Sequence, residues 1–170
     1  MAEYETVKQP FEPIYNENSK ILILGSLPSV KSRETGFFYG HPQNRFWKLI
    51  AKLYRYEVPE TIEEKKKMLM NEGIALWDVI ETCEIKGSDD NSIRNIVIAD
   101  FNSILEKCNI EKIIANGKTT AKLYNRYAKC NTGREIIELP STSPANARYS
   151  LEALIEKWGE HLGNNEGNDF

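Results

Sequence analysis

A chain of 170 residues has the size of one domain with a proper core, and 41% hydrophobic against 28% charged residues is an ordinary globular balance. Its net charge of −3 argues against broad, non-specific coating of nucleic acid while leaving room for a local basic face. No apolar run approaches ~18 residues and the start, MAEYETVKQ, lacks a signal-peptide pattern, so a cytoplasmic protein with no membrane partner is expected.

Residues 1–19 are polar with Pro10 and Pro13 and read as an irregular lead-in, flexible over 1–8, with Phe11 and Ile14 laid against a sheet edge. Ile21-Leu22-Ile23-Leu24 is apolar on consecutive residues, the pattern of a parallel strand covered on both faces. It ends at Gly25, and a polar loop follows with Ser26, Pro28, Ser29 and Ser32. Then come Phe37, Phe38 and Tyr39 between Gly36 and Gly40, and His41-Pro42-Gln43-Asn44-Arg45. Open parallel sheets bind ligands beyond the carboxyl ends of their strands. Aromatic faces, small residues and amides gathered at such an end make a pocket for a flat, polar-edged ring.

Over residues 45–56, Phe46, Leu49, Ile50 and Leu53 fall at helical spacing. Asn44 stands at the start of that helix, where Asn is a favoured cap. On the residues alone it reads as a cap or as a functional amide. Thr61-Ile62-Glu63-Glu64 opens a second helix with a capping box, whose Lys65-Lys66-Lys67 run reads as a solvated face. Residues 73–80 form a second buried strand, with Trp77 as core and Asp78 as a carboxylate that is costly there unless paired or exposed. Residues 84–99, with Gly87-Ser88-Asp89-Asp90, read as loop by composition.

Asp100 caps a short helix over 101–108, a third strand covers 110–115, and Asn116-Gly117-Lys118-Thr119 leads into a helix through Tyr127. This turn lacks the second glycine of a P-loop, and Lys118 is either a solvated lysine or a phosphate contact. A fourth strand spans 135–139, a loop spans 140–147, and Ser150 caps a last helix over 151–162, with 163–170 flexible. The sum is β-α-α-β-α-β-α-β-α, an α/β layer fold around a short parallel sheet, in a single domain over 1–170. Cys83, Cys108 and Cys130 are odd in number and scattered, which points to a reducing compartment and away from a zinc or iron–sulfur site.

GSLPS and TGFFYGHPQNRFWKLI resemble the first motif of the uracil-DNA glycosylase superfamily, and LPSTSPANARYSLEAL resembles the second, with its Ser143-Pro144 core. The likeness covers about residues 9–162 and is closest to the hypoxanthine-DNA (deoxyinosine) glycosylases, with the mismatch-specific uracil glycosylases as relatives. Two positions depart from the wider superfamily. Leu27 stands where the mismatch-specific branch carries a water-activating Asn, and Ser141 stands where the second motif often has His. The hypoxanthine branch similarly lacks the early Asn and uses the later one.

The resemblance implies a three-layer fold with a four-stranded, mainly parallel sheet between helices. It also implies a monofunctional glycosylase that hydrolyses the N-glycosidic bond of hypoxanthine, with uracil as a further candidate, in base excision repair. Asn44 becomes the catalytic residue. Gly25, Ser26, Leu27, Tyr39 and Asp78 become base contacts, with Tyr39 as stacking platform. Ser143, Asn146 and Arg148 become DNA contacts, with Lys118 joining them by its position on the same rim. DNA with a deaminated base is the expected partner, the protein acts as a monomer, and neither metal nor other cofactor is required. The alternative is a binding module for nucleic acid or nucleotide that has lost catalysis, separated from the enzyme only by Asn44.

Overall fold

The computed structural model describes residues 3–87 and 89–163. Its centre is a four-stranded, all-parallel sheet of β2 (Ile21–Gly25), β3 (Ile74–Asp78), β6 (Lys112–Asn116) and β7 (Ile137–Leu139), in the order β3-β2-β6-β7. Consecutive apolar residues in these strands point to opposite faces, so each face needs its own cover. Ile23, Ile74, Leu76, Ile114 and Leu139 face one cluster, with α2 (Phe46–Tyr54), α3 (Ile62–Asn71) and α7 (Leu151–Gly159). Leu22, Leu24, Ala75 and Ile113 face the other, with α4 (Asn102–Lys107) and the Tyr124–Ala128 π-helical turn that follows α5 (Lys118–Leu123). The layered α/β expectation holds, as does the edge packing: Ile14 bridges Leu76 with two backbone hydrogen bonds, and Phe11 meets Phe38 edge-on.

Three readings are corrected. The lead-in is not flexible throughout, because β1 (Tyr4–Lys8) pairs antiparallel with β4 (Ile80–Lys86). The stretch read as loop holds the end of β4 and all of β5 (Arg94–Ile98), part of a second, antiparallel sheet in the order β1-β4-β5. Its signal was weak because register shifts between Ile80 and Glu84 break the alternation, and β5 is an edge strand with Val97 half exposed. The polar loop after β2 also contains a short helix, α1 (Val30–Thr35), capped by Ser29 and ended by Gly36 in the left-handed region at φ 84°. Another short helix, α6 (Lys129–Thr132), closes the turn before β7.

Boundaries elsewhere shift by a few residues. Thr61 and Ser150 cap α3 and α7 as read, whereas Asp100 accepts from Asn102 N–H one position before the α4 cap. Of the lysine run, Lys66 and Lys67 are exposed as read, while Lys65 is half-buried over the Trp47 ring. Ser88, residues 1 and 2 and residues 164–170, where parts of the loop and tail readings fall, lie outside the described residues. No described helix is long and apolar enough to cross a membrane.

Candidate active site

The carboxyl ends of the four parallel strands deliver Gly25, Asp78, Asn116 and Leu139 to one edge of the sheet. Above that edge lies a cleft of about 1080 Å³ between the loop after β2 and the loop after β7. Its lining includes every residue singled out in the sequence: Gly25, Ser26, Leu27, Tyr39, Asn44, Asp78, Lys118, Ser143, Asn146 and Arg148. Two core tryptophans fix its walls, Trp47 Nε1 donating to Phe38 O and Trp158 Nε1 to Pro140 O.

Asp78 forms the floor and is 3% exposed. Burial pushes its carboxyl up to about 6, against opposing hydrogen bonds from Gln9 and the Gly25 backbone. The Gln9 amide has a fixed sense: its Oε1 accepts from Phe11 N–H, so its Nε2 donates to Asp78 Oδ2. Gly25 is required beside it, since a Cβ there would lie 2.5 Å from Asp78 Oδ1 and 3.2 Å from the Tyr39 hydroxyl.

Tyr39 takes a left-handed backbone at φ 54°, which turns its ring inward against Phe46, with centroids 4.1 Å apart. One ring face is therefore covered by protein. Its hydroxyl is buried near Asp78 and Asn116 and makes no hydrogen bond, and burial with the Asp78 charge pushes its ionisation far above the ordinary tyrosine value. Phe37 and Phe38 are buried in the core.

Asn44 is half-buried, and its Oδ1 accepts from Phe46 N–H at 2.9 Å and from the Thr142 hydroxyl at 2.8 Å. Asn44 thus stands one position before Arg45, the N-cap of α2, and its oxygen takes the first helical N–H, as a capping side chain would. Its Nδ2 makes no hydrogen bond among the described residues. Leu27 is half-buried, packed against the second sheet's cluster of Val7, Ile80, Cys83 and Ile85, and offers no polar side-chain atom. Ser141 Oγ is used within its own loop, accepting from Ser143 N–H.

At the rim, Lys118 and Arg148 are exposed. Ser143 Oγ accepts from Ala145 N–H, and Asn146 Nδ2 donates back to Ser141 O, so both side chains shape the loop in this structure.

Four residues escaped the sequence reading. Arg45 holds the loop after β7 by donating to the carbonyls of Thr142, Ser143, Asn146 and Tyr149. Thr142 and Asn116 join that loop to Asn44, and Gln9 braces Asp78. Asn116 had a usable signal, a polar residue closing an apolar strand just as Asp78 does. The other three act through partners roughly 70 to 100 positions away in sequence, which no local pattern marks. Among the described residues no group of His, Cys, Asp and Glu is placed to hold a metal.

Comparison with known proteins matches residues 12–162 to the family model of the uracil DNA glycosylase superfamily. A hypoxanthine DNA glycosylase of Methanosarcina acetivorans is 36% identical over 145 residues, covering 85% of this chain and 91% of that protein. One from Methanosarcina barkeri is 33% identical over 155 residues, covering 90% and 96%. The solution NMR structure of a candidate uracil DNA glycosylase from Methanosarcina acetivorans superposes with a TM-score of 0.78 at 34% identity, covering 92% of this chain and 96% of that one.

Proposed function

The chain belongs to the uracil DNA glycosylase superfamily, and from that premise we propose that it excises hypoxanthine from DNA by hydrolysing the N-glycosidic bond. The observation that carries the choice of base is the buried, braced Asp78 at the cleft floor. A target base must be flipped out of the duplex to reach such a site. Hypoxanthine offers an N–H donor beside a carbonyl, and a carboxylate accepts that N–H. Adenine, its precursor, presents a lone pair at the same place and would set acceptor against acceptor. Leaving a buried polar group unpaired in this way costs about 1–3 kcal/mol and rejects the undamaged base. Uracil shares the carbonyl–amide edge and is the second candidate.

Each residue then has a role. Tyr39 and Asp78 hold the base, with backbone groups of Gly25, Ser26 and Leu27 along its edge. Lys118, Arg148 and the Ser143 and Asn146 backbone, near the capped start of α7, meet the phosphates and the gap in the stack. Asn44 supplies the amide at the reacting bond. The bond's electron pair leaves with the base, water forms the new bond to C1′, and the proton released by water ends on the base. The lysines that line the cleft, Lys118 and Lys157, lie on α5 and α7 rather than in the loop that carries Asn44, so no Schiff base and no strand cleavage is expected.

Incubation with a labelled duplex containing deoxyinosine tests this. Free hypoxanthine and an alkali-labile, uncut abasic site are expected, with activity retained in EDTA. Strand scission without alkali, or no release from inosine or uracil duplexes, would remove the proposal.

Tyr39→Phe gives a sharper expectation. The hydroxyl is buried without a partner in the free protein, a state that costs about 1–3 kcal/mol, so its removal should raise the melting temperature. Excision should fall, because the same hydroxyl meets a polar edge of the bound base. A variant that is both more stable and equally active would show that Tyr39 serves only through its ring.

A further inference from the structure

Two backbone N–H groups at opposite ends of a side-chain chain fix the direction of every hydrogen bond in it. Phe46 N–H can donate only to the oxygen of the Asn44 amide, at 2.9 Å, and Thr142 N–H only to the oxygen of the Asn116 amide, at 3.0 Å. With its oxygen so taken, Asn116 turns its Nδ2 to Thr142 Oγ1 at 3.0 Å. That hydroxyl is now an acceptor from Asn116, and its own hydrogen goes to Asn44 Oδ1 at 2.8 Å. Thr142 is fully buried, so no water competes for the hydrogen. Asn44 Oδ1 thereby receives two donors, one for each lone pair, and the part of this amide left for the cleft is its NH2.

We propose that Thr142 is a positioning residue that locks the Asn44 amide with its N–H toward the cleft, and that Asn44 acts as a donor to the departing base. The inference rests on the glycosylase reading above. An amide that oriented the attacking water by accepting its proton would need a free oxygen, and this one is spent. A donor fits the chemistry of a purine leaving group. As the C1′–N9 bond breaks, its electron pair stays with the base and charge grows on N3, N7 and O6, all acceptors. An N–H held toward them binds the transition state more strongly than the ground state. Asn116, at the end of β6, carries the lock into the sheet, and Arg45 keeps Thr142 in register through hydrogen bonds from its N–H and Nε to the Thr142 carbonyl.

Single-turnover excision from a deoxyinosine duplex, duplex affinity and thermal melting are measured for the wild type, Thr142→Val, Thr142→Ser and Asn44→Asp. Thr142→Val keeps the shape and removes the hydroxyl, so excision should slow on the order of tenfold to a hundredfold while affinity stays within about twofold. Thr142→Ser restores the hydroxyl and should restore the rate. Asn44→Asp keeps an oxygen for Phe46 N–H and Thr142 but turns an acceptor to the cleft, and it should be as inactive as Asn44→Ala.

Thr142→Val with the wild-type rate, or Thr142→Ser as slow as Thr142→Val, would overturn the lock. An Asn44→Asp variant as active as wild type would overturn the donor role and point to water activation. Wild-type activity in the same assay separates the two levels. If it is absent, the glycosylase reading itself fails; if it is present with Thr142→Val unchanged, the lock alone does.

Discussion

Asn44→Ala is expected to lose excision on the order of a hundredfold or more while still binding duplex DNA. It should also melt lower by about 1–2 kcal/mol, because Oδ1 bonds the first helical N–H of α2 and the buried Thr142 hydroxyl. The sequence posed cap and catalyst as rival readings of this residue. The geometry divides the amide between them, oxygen to the fold and nitrogen to the cleft. No neighbour can stand in for it. Leu27 is apolar and packed against the second sheet, Ser141 Oγ accepts within its own loop, and Asn116 is committed to Thr142. A single-turnover assay beside a melting curve reads both effects in one protein. A variant that is less stable yet fully active would reduce Asn44 to a cap and leave Asp78 as the principal reacting group.

The central sheet was legible because it obeys a strong local rule. Ile21-Leu22-Ile23-Leu24 has no polar side, and a strand with no polar side lies between two layers. Most of the candidate site was legible for a different reason: of the ten cleft residues singled out, eight sit in two stretches, 25–44 and 143–148, whose patterns resemble known motifs, while Asp78 and Lys118 stand outside them. What those patterns omit is the support. Gln9, Arg45, Asn116 and Thr142 are ordinary polar residues, and their roles exist only once the loop after β7 folds against α2 and β6. The second sheet was missed on related grounds. Its strands bury one face only, bulges break their alternation, and their pairing of residues 4–8 with 82–86 is long in sequence.

Asp78 gives the second large expectation, and it is a pH effect. Its carboxyl ionises near 6 rather than at the usual 3.8, chiefly because burial disfavours the charge. Below that value it is protonated and can no longer accept from two donors and the base N–H together; above it, the carboxylate can. The efficiency of hypoxanthine excision should therefore rise through about pH 6 and level off, and Asp78→Asn should lose on the order of tenfold or more and lose that rise.

Stability moves the other way. Between about pH 4 and 6 the folded state holds a proton that the unfolded chain has released, so stability falls as pH rises across that window and is level above it. The fall is on the order of 3 kcal/mol from the size of the shift. Asp78→Asn lacks the titration, so its stability relative to wild type should climb by that order between pH 4 and 6.5, whatever its value at either end. Parallel pH curves for the two proteins, in unfolding and in excision, would place the ionising group elsewhere. Curves that diverge in opposite directions, activity gained while stability is lost, are the signature of a carboxylate kept charged in the core because the base needs it there.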